Sequence, residues 1–132
     1  MKIKKSHELK GVCIPKPFLR EVRVVFSPDM DDGCGCNLIS ATIFPSSSTD
    51  YRHRDRIEII YIISGKGIFV CNDHEYPIEA DTALYIEKDD KIQIKNTGDH
   101  NLKLISFYLN PYQSYDIYQK LLDSAQKATT SL

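Results

Sequence analysis

The chain has 132 residues, a net charge of −1 and 42% hydrophobic residues; that length reads as one domain, large enough to bury a core without staples. Its 17 basic and 18 acidic residues leave no field to gather nucleic acid or an anionic membrane surface. No window approaches the ~20 apolar residues of a membrane helix, and Met1-Lys2-Ile3-Lys4-Lys5 leads into no apolar stretch, so no secretory signal is expected and the expected location is the cytoplasm.

Cys13 comes first of the cysteines, followed by Cys34, Cys36 and Cys71, and none makes a Cys-x-x-Cys pair. The spacing argues against a zinc ribbon or a thioredoxin-type site. Reduced thiols packed as small hydrophobes are expected. The alternative is a soft-metal or redox pair at Cys34 and Cys36, which would share one face of a strand. Apolar, β-branched segments then recur at 22–26, 38–44, 57–63, 67–71, 83–86, 91–95 and 102–109, with turn residues between them. Many short strands with regular turns predict an all-β sandwich or barrel. The 57–63 strand is apolar on both faces, which implies a second cover: another sheet, the C-terminal segment or a partner subunit. After Asn110-Pro111, Tyr115, Tyr118, Leu121, Leu122 and Ala125 recur at helical steps, which predicts an amphipathic helix over about 112–126. The tail from Ala128 is expected to fray.

The most informative run is 51–67. It carries Tyr51, His53, Glu58 and Gly65 at spacings of two, five and seven. This run resembles the first motif of the cupins, small jelly-roll barrels that often hold a metal, with Tyr51 where the family has its first histidine. The segment from Asp81 to Asn96 has the length of the second cupin motif, with Ile92 in the place of its histidine. The resemblance implies a double-stranded β-helix over about 20–110 followed by the helix, and a homodimer. Asp31-Asp32-Gly33-Cys34-Gly35 through Glu58, Tyr76-Pro77-Ile78 and Asn110-Pro111 are similar to the ectoine synthase branch of the cupins. On that resemblance Glu58 keeps a ligand position, whereas Leu84 and Ile92 replace a tyrosine and a histidine. The inward set becomes Ala41, Ile43, Leu84, Ile86, Ile92 and Ile94.

These readings imply a barrel that binds a small organic molecule, with lyase or isomerase chemistry as a further expectation. Glu58 would be the acid or base, His53 its partner, and Tyr51 a residue of the entrance. Ala41, Leu84 and Ile92 would line the pocket. Arg52 and Arg54 belong to a mixed charge run that reads as a solvated loop or, at a barrel mouth, as a clamp for a carboxylate or phosphate. A buried Glu58 needs a partner; His53, Arg52, Arg54 and Arg56 are the candidates, and His53 is preferred. His53 with Glu58 would also be the start of a site for iron, nickel, manganese or zinc, an incomplete one. Two other classes remain: a metal-dependent cupin enzyme completed by unusual ligands, and a non-catalytic module filled by its own side chains. His7, His74 and His100 read as surface residues. Gly65-Lys66-Gly67 reads as a strand-closing turn, not a phosphate cradle, because no helix follows it.

Overall fold

The structure, a computed structural model, describes residues 1–130. A short 3-10 turn (Ser6–Glu8) precedes β1 (Val12–Ile14), β2 (Arg20–Phe26), β3 (Asn37–Ile43), β4 (Arg52–His53), β5 (Glu58–Ser64), β6 (Lys66–Cys71), β7 (His74–Glu79), β8 (Ala83–Ile86), β9 (Lys91–Asn96) and β10 (Leu102–Tyr108). The helix α1 (Ser114–Thr130) closes the described chain. One sheet runs β1-β2-β3-β10-β5-β8 and the other β4-β9-β6-β7. All pairings are antiparallel. This is a jelly roll with a C-terminal helix, the barrel that the segment pattern allows and the cupin resemblance implies.

Alternation builds the interior. Asn37, Ile39, Ala41 and Ile43 of β3 face in, as do Leu102, Leu104, Ser106 and Tyr108 of β10. Ile14, Ile43, Ile62, Ile92 and Leu102 are fully buried in the core, and none of them lines the cavity described below. The strand β7 is exposed along its length except at Ile78, which hides it from any search for apolar runs. Only Asn72 and Asp73, both with positive φ (50° and 67°), form the β6–β7 turn.

α1 packs beside β1 and β2, while Tyr61 and Ile63 on the outer face of β5 stay exposed. Ile117, Leu121 and Ala125 are buried in the core, and the Tyr118 hydroxyl accepts a hydrogen bond from Val24 N at 2.8 Å. Asp29 caps the helix start: Ser114 N donates to its Oδ1 at 2.7 Å and Ser114 Oγ to its Oδ2 at 2.5 Å. Burial pushes the Asp29 carboxyl up, but these bonds outweigh it and hold the group below its ordinary range. Asn37 pins the approach to the helix, donating to Tyr112 O at 2.9 Å and accepting from Tyr112 N at 2.7 Å. The helix also runs further than its apolar stripe suggests. Ala128 lies within it and it continues to Thr130, with Thr129 Oγ1 bonded back to Ala125 O at 3.0 Å; the last two residues of the expected frayed tail lie outside the described residues.

Candidate functional site

A cavity of about 160 Å³ opens between the two sheets beneath α1. Its apolar wall comes from Val22, Ile39, Ala41, Ile60 and Leu104. Its polar wall holds four cations (Arg20, Arg52, Arg54, Lys120) and three carboxylates (Asp50, Asp55, Glu58).

The register of β4 decides which residues of the 51–67 run reach it. Arg52 lies opposite the inward-facing Ile92, and His53 opposite Lys91. Side chains alternate along a strand, so the inward set is Asp50, Arg52 and Arg54. A one-residue step sends every side chain to the other face, so Tyr51 and His53 fall on the outer set. The Tyr51 hydroxyl donates to Asp73 Oδ1 at 2.7 Å and accepts from Asp73 N at 2.9 Å, under the Lys91 ammonium at 4.3 Å. It is tied to the β6–β7 turn and is absent from the cavity wall. His53 is exposed, but it is one of the residues that line the cavity, at its rim, with Nδ1 3.1 Å from Asp89 O. Of the three apolar residues expected in the pocket, Ala41 lines it. Ile92 is fully buried and Leu84 half-buried, and both pack in the core instead.

Glu58 is buried and paired, but not with His53. Arg54 Nε donates to its Oε1 at 2.8 Å and Ser106 Oγ to its Oε2 at 2.6 Å. Burial disfavours the Arg54 cation, yet the Glu58 charge outweighs burial and holds the guanidinium above its ordinary range. Arg20 differs. It is 4% exposed, donates from Nη1 to Phe18 O at 2.9 Å and makes no ion pair among the described residues. Burial lowers its pKa to about 10; Asp50 opposes the shift, and Arg52 and Arg54 add to it. Lys120 is lowered in the same way, first by burial and then by the arginines against the pull of Asp55. With four cations against three carboxylates on its wall, the cavity has a small excess of positive charge.

Asp50 and Arg52 leave hydrogen-bonding capacity unused. Asp50 Oδ2 accepts from Ser124 Oγ at 2.6 Å and lies 3.3 Å from Arg52 Nε. That ion-pair contact lacks hydrogen-bond alignment: Asp50 Oδ1 and Arg52 Nε are both buried without a hydrogen-bond partner among the described residues.

At the mouth, Tyr112 is held by charge. The Arg56 guanidinium lies 3.5 Å from its ring centroid and the Lys120 ammonium 4.3 Å, and its hydroxyl donates to Asp55 Oδ1. Burial pushes Asp55 up, but the bonds from Arg56 and Tyr112 and the nearby cations bring it down to about 2. A carboxylate with a depressed pKa stabilises the folded state above its unfolded value of about 3.9, and that contribution is lost as pH falls through the folded value. Asp55 is half exposed, so solvent screens the effect and the expected change is local. Near-ultraviolet circular dichroism of the tyrosines should hold steady from pH 7 to about 4 and change below about pH 3, and Asp55→Asn should remove that transition.

Cupin barrels often hold a metal, but the residues here do not fit one. The Glu58 oxygens are occupied by a guanidinium and a hydroxyl, and His53 stands on the outer set of β4. Among the described residues no group of three or more His, Cys, Asp or Glu is placed to hold a metal ion.

The profile of the AraC-like ligand binding domain matches residues 39–127, which span β3 to α1. The chain belongs to the AraC-like ligand binding domain family. Among relatives of this AraC-like domain is the oxalate-binding protein of Thermotoga maritima, 32% identical over 63 residues, 47% of this chain and 52% of that protein. The AraC-like domain thus matches about half the length of that relative. Ectoine synthase from P. lautus superposes with a TM-score of 0.75 at 16% identity, over 91% of this chain and 86% of that one. A cupin-2 domain from Rhodospirillum rubrum gives 0.72 at 12% identity, over 86% and 76%. These likenesses are of fold alone, and the fold is that of the small cupin barrels. The ectoine synthase resemblance therefore reduces to shared architecture.

Several residues of the AraC-like domain's cavity escape the motif reading: Arg20, Ser106, Tyr108, Tyr112 and Lys120. For Arg20 a signal was present. It precedes Val22 and Val24 by even steps, which puts it on their buried face.

Proposed function

We propose that this domain is a non-catalytic module that binds a small organic acid inside the barrel. The observation that carries the reading is Arg20, a buried cation on the cavity wall with no ion pair of its own among the described residues, beside two further arginines. Guanidinium groups suit carboxylates geometrically. The name of the Thermotoga relative states that it binds oxalate, itself a small dicarboxylate, which supports the same class here. A lyase or isomerase step would need Glu58 as acid or base. Both of its oxygens are engaged by Arg54 and Ser106, so its role is to hold Arg54 in place.

Succinate and malonate should raise the melting temperature in a dose-dependent way, and succinamide should not. Arg20→Met, which keeps the apolar stem, should lose that response. Equal responses to acid and amide would remove the reading.

We further propose that the module is a homodimer in the cytoplasm, where its four free cysteines stay reduced. The outer face of β10, β5 and β8 supports the dimer. Phe107, Ile59 and Tyr85 lie in one row across three adjacent strands, and Ile105 and Tyr61 in the next. Tyr85 is 61% exposed and Phe107 37%, and such contiguous apolar faces mark interaction sites. Sedimentation velocity should give a dimer that Tyr85→Glu with Phe107→Glu converts to monomer. A monomeric parent protein would refute it.

A further inference from the structure

This inference rests on the organic-acid reading above and deepens it. We propose that the cavity selects a compact monocarboxylate with an apolar body, branched or cyclic, over a dicarboxylate of the same shape, with Arg20 taking the single carboxylate.

The ionised groups on the wall fall into pairs with one left over. Arg54 Nε lies 2.8 Å from Glu58 Oε1, Arg52 Nε 3.3 Å from Asp50 Oδ2, and Lys120 Nζ 3.9 Å from Asp55 Oδ2. The remaining cation is Arg20, which makes no ion pair among the described residues. Burial lowers its pKa only to about 10, so it stays charged at neutral pH. One ligand carboxylate against Arg20 therefore completes the set. A second would be buried beside cations that are already matched, and an unmatched buried charge is costly.

Arg20 has the donors to take that carboxylate. Its Nη1 is spent on Phe18 O. Nε and Nη2 make no hydrogen bond among the described residues, and neither is sealed from solvent as Arg52 Nε is. They open onto the cavity that Arg20 lines. Nε and Nη2 form one edge of the guanidinium fork, the edge that meets a carboxylate with two parallel bonds.

The cavity also limits size and polarity. An enclosed space of roughly 150 Å³ takes a six-carbon ring, and this one is about 160 Å³. Ile117 and Leu121 of α1 extend the apolar wall supplied by β2, β3, β5 and β10. These side chains offer a second carboxylate no donor, and they give an alkyl or ring body close contacts. A long fatty chain exceeds the space.

Isothermal titration of the full chain with shape-matched acids is the test. Isocaproate is succinate with one carboxylate replaced by an isopropyl group, and isovalerate stands in the same relation to malonate. Each monoacid should bind at least tenfold more tightly than its diacid partner. Isocaproamide, which lacks the charge, should bind at least tenfold more weakly than isocaproate. Asp50→Asn keeps an oxygen for Ser124 and removes one wall charge, leaving Arg52 unmatched as well. The monoacid advantage should then fall by more than threefold. Should that variant not fold, Glu58→Gln removes the charge matched to Arg54 and should have the same effect. If the diacids bind as tightly as the monoacids, or the advantage is unchanged in the variant, this inference fails while the organic-acid reading stands. If none of the acids binds, both fail.

Discussion

Replacing Arg54 by alanine is expected to destabilise the fold by about 3–5 kcal/mol, because it strands a buried carboxylate. Arg54 and Glu58 are each less than a tenth exposed, and among the described residues Ser106 would remain as the only hydrogen-bond partner of the Glu58 charge. Glu58→Gln should cost less, about 1–3 kcal/mol. The amide oxygen can still accept from Arg54 Nε and its NH2 group can donate to Ser106 Oγ, while the Asp50 charge still acts on the Arg54 guanidinium. A double change, Arg54→Met with Glu58→Leu, should recover much of the loss, since a buried ion pair is often replaceable by apolar residues of similar volume. His53→Ala should shift stability by no more than about 0.5 kcal/mol, as is usual for exposed positions. Urea unfolding of the four variants separates the alternatives. A large loss from His53→Ala with a small one from Arg54→Ala would show that the histidine is the partner of Glu58 after all.

Gly67→Ala is expected to cost about 3 kcal/mol or more, at the upper end of overpacking. An added Cβ would run into the carbonyl oxygen of Lys95 and come within 3.0 Å of Leu102 Cδ1. The obstacle is backbone of β9, a strand held between β4 and β6, so it has little room to yield. Gly33 supplies the control. Its φ of +75° disfavours a side chain, but nothing lies within 4 Å of its missing Cβ. Gly33→Ala should therefore cost about 1 kcal/mol. Thermal or urea denaturation reads both, and equal losses would show that the crowding at Gly67 relaxes without penalty.

The barrel is legible in the sequence because its signals are local. Apolar runs such as 57–63 and 102–109, separated by turn residues, place most strands of the two sheets. Three strands escape: β1, whose apolar run Val12–Ile14 is only three residues long, and two that have no apolar run. β7 buries only Ile78, and β4 is two residues long with charged neighbours. The site is harder to read because it depends on parity. The 51–67 spacing points to Tyr51 and His53 as inward. Pairing of Arg52 with Ile92 reverses that face and turns a metal-type motif into an arginine-lined wall. Spacing along one strand carries no information about that register, which is set by the partner strand. Glu58 survives in both readings because β5 has a clear apolar alternation: Glu58 shares the buried face of Ile60 and Ile62. Its partner changes from His53 to Arg54, the residue one step along the reversed strand. Tyr112 and Lys120 reach the cavity only through the packing of α1 and its approach, a tertiary fact without a local signature.

The central claim is that the barrel interior is a site for a small organic acid anchored on Arg20. A crystal structure of the protein grown with malate at saturating concentration tests it most directly. The account predicts density between the sheets, with a carboxylate against the Arg20 guanidinium. An empty barrel under those conditions, or malate bound only on the outer surface, would contradict it.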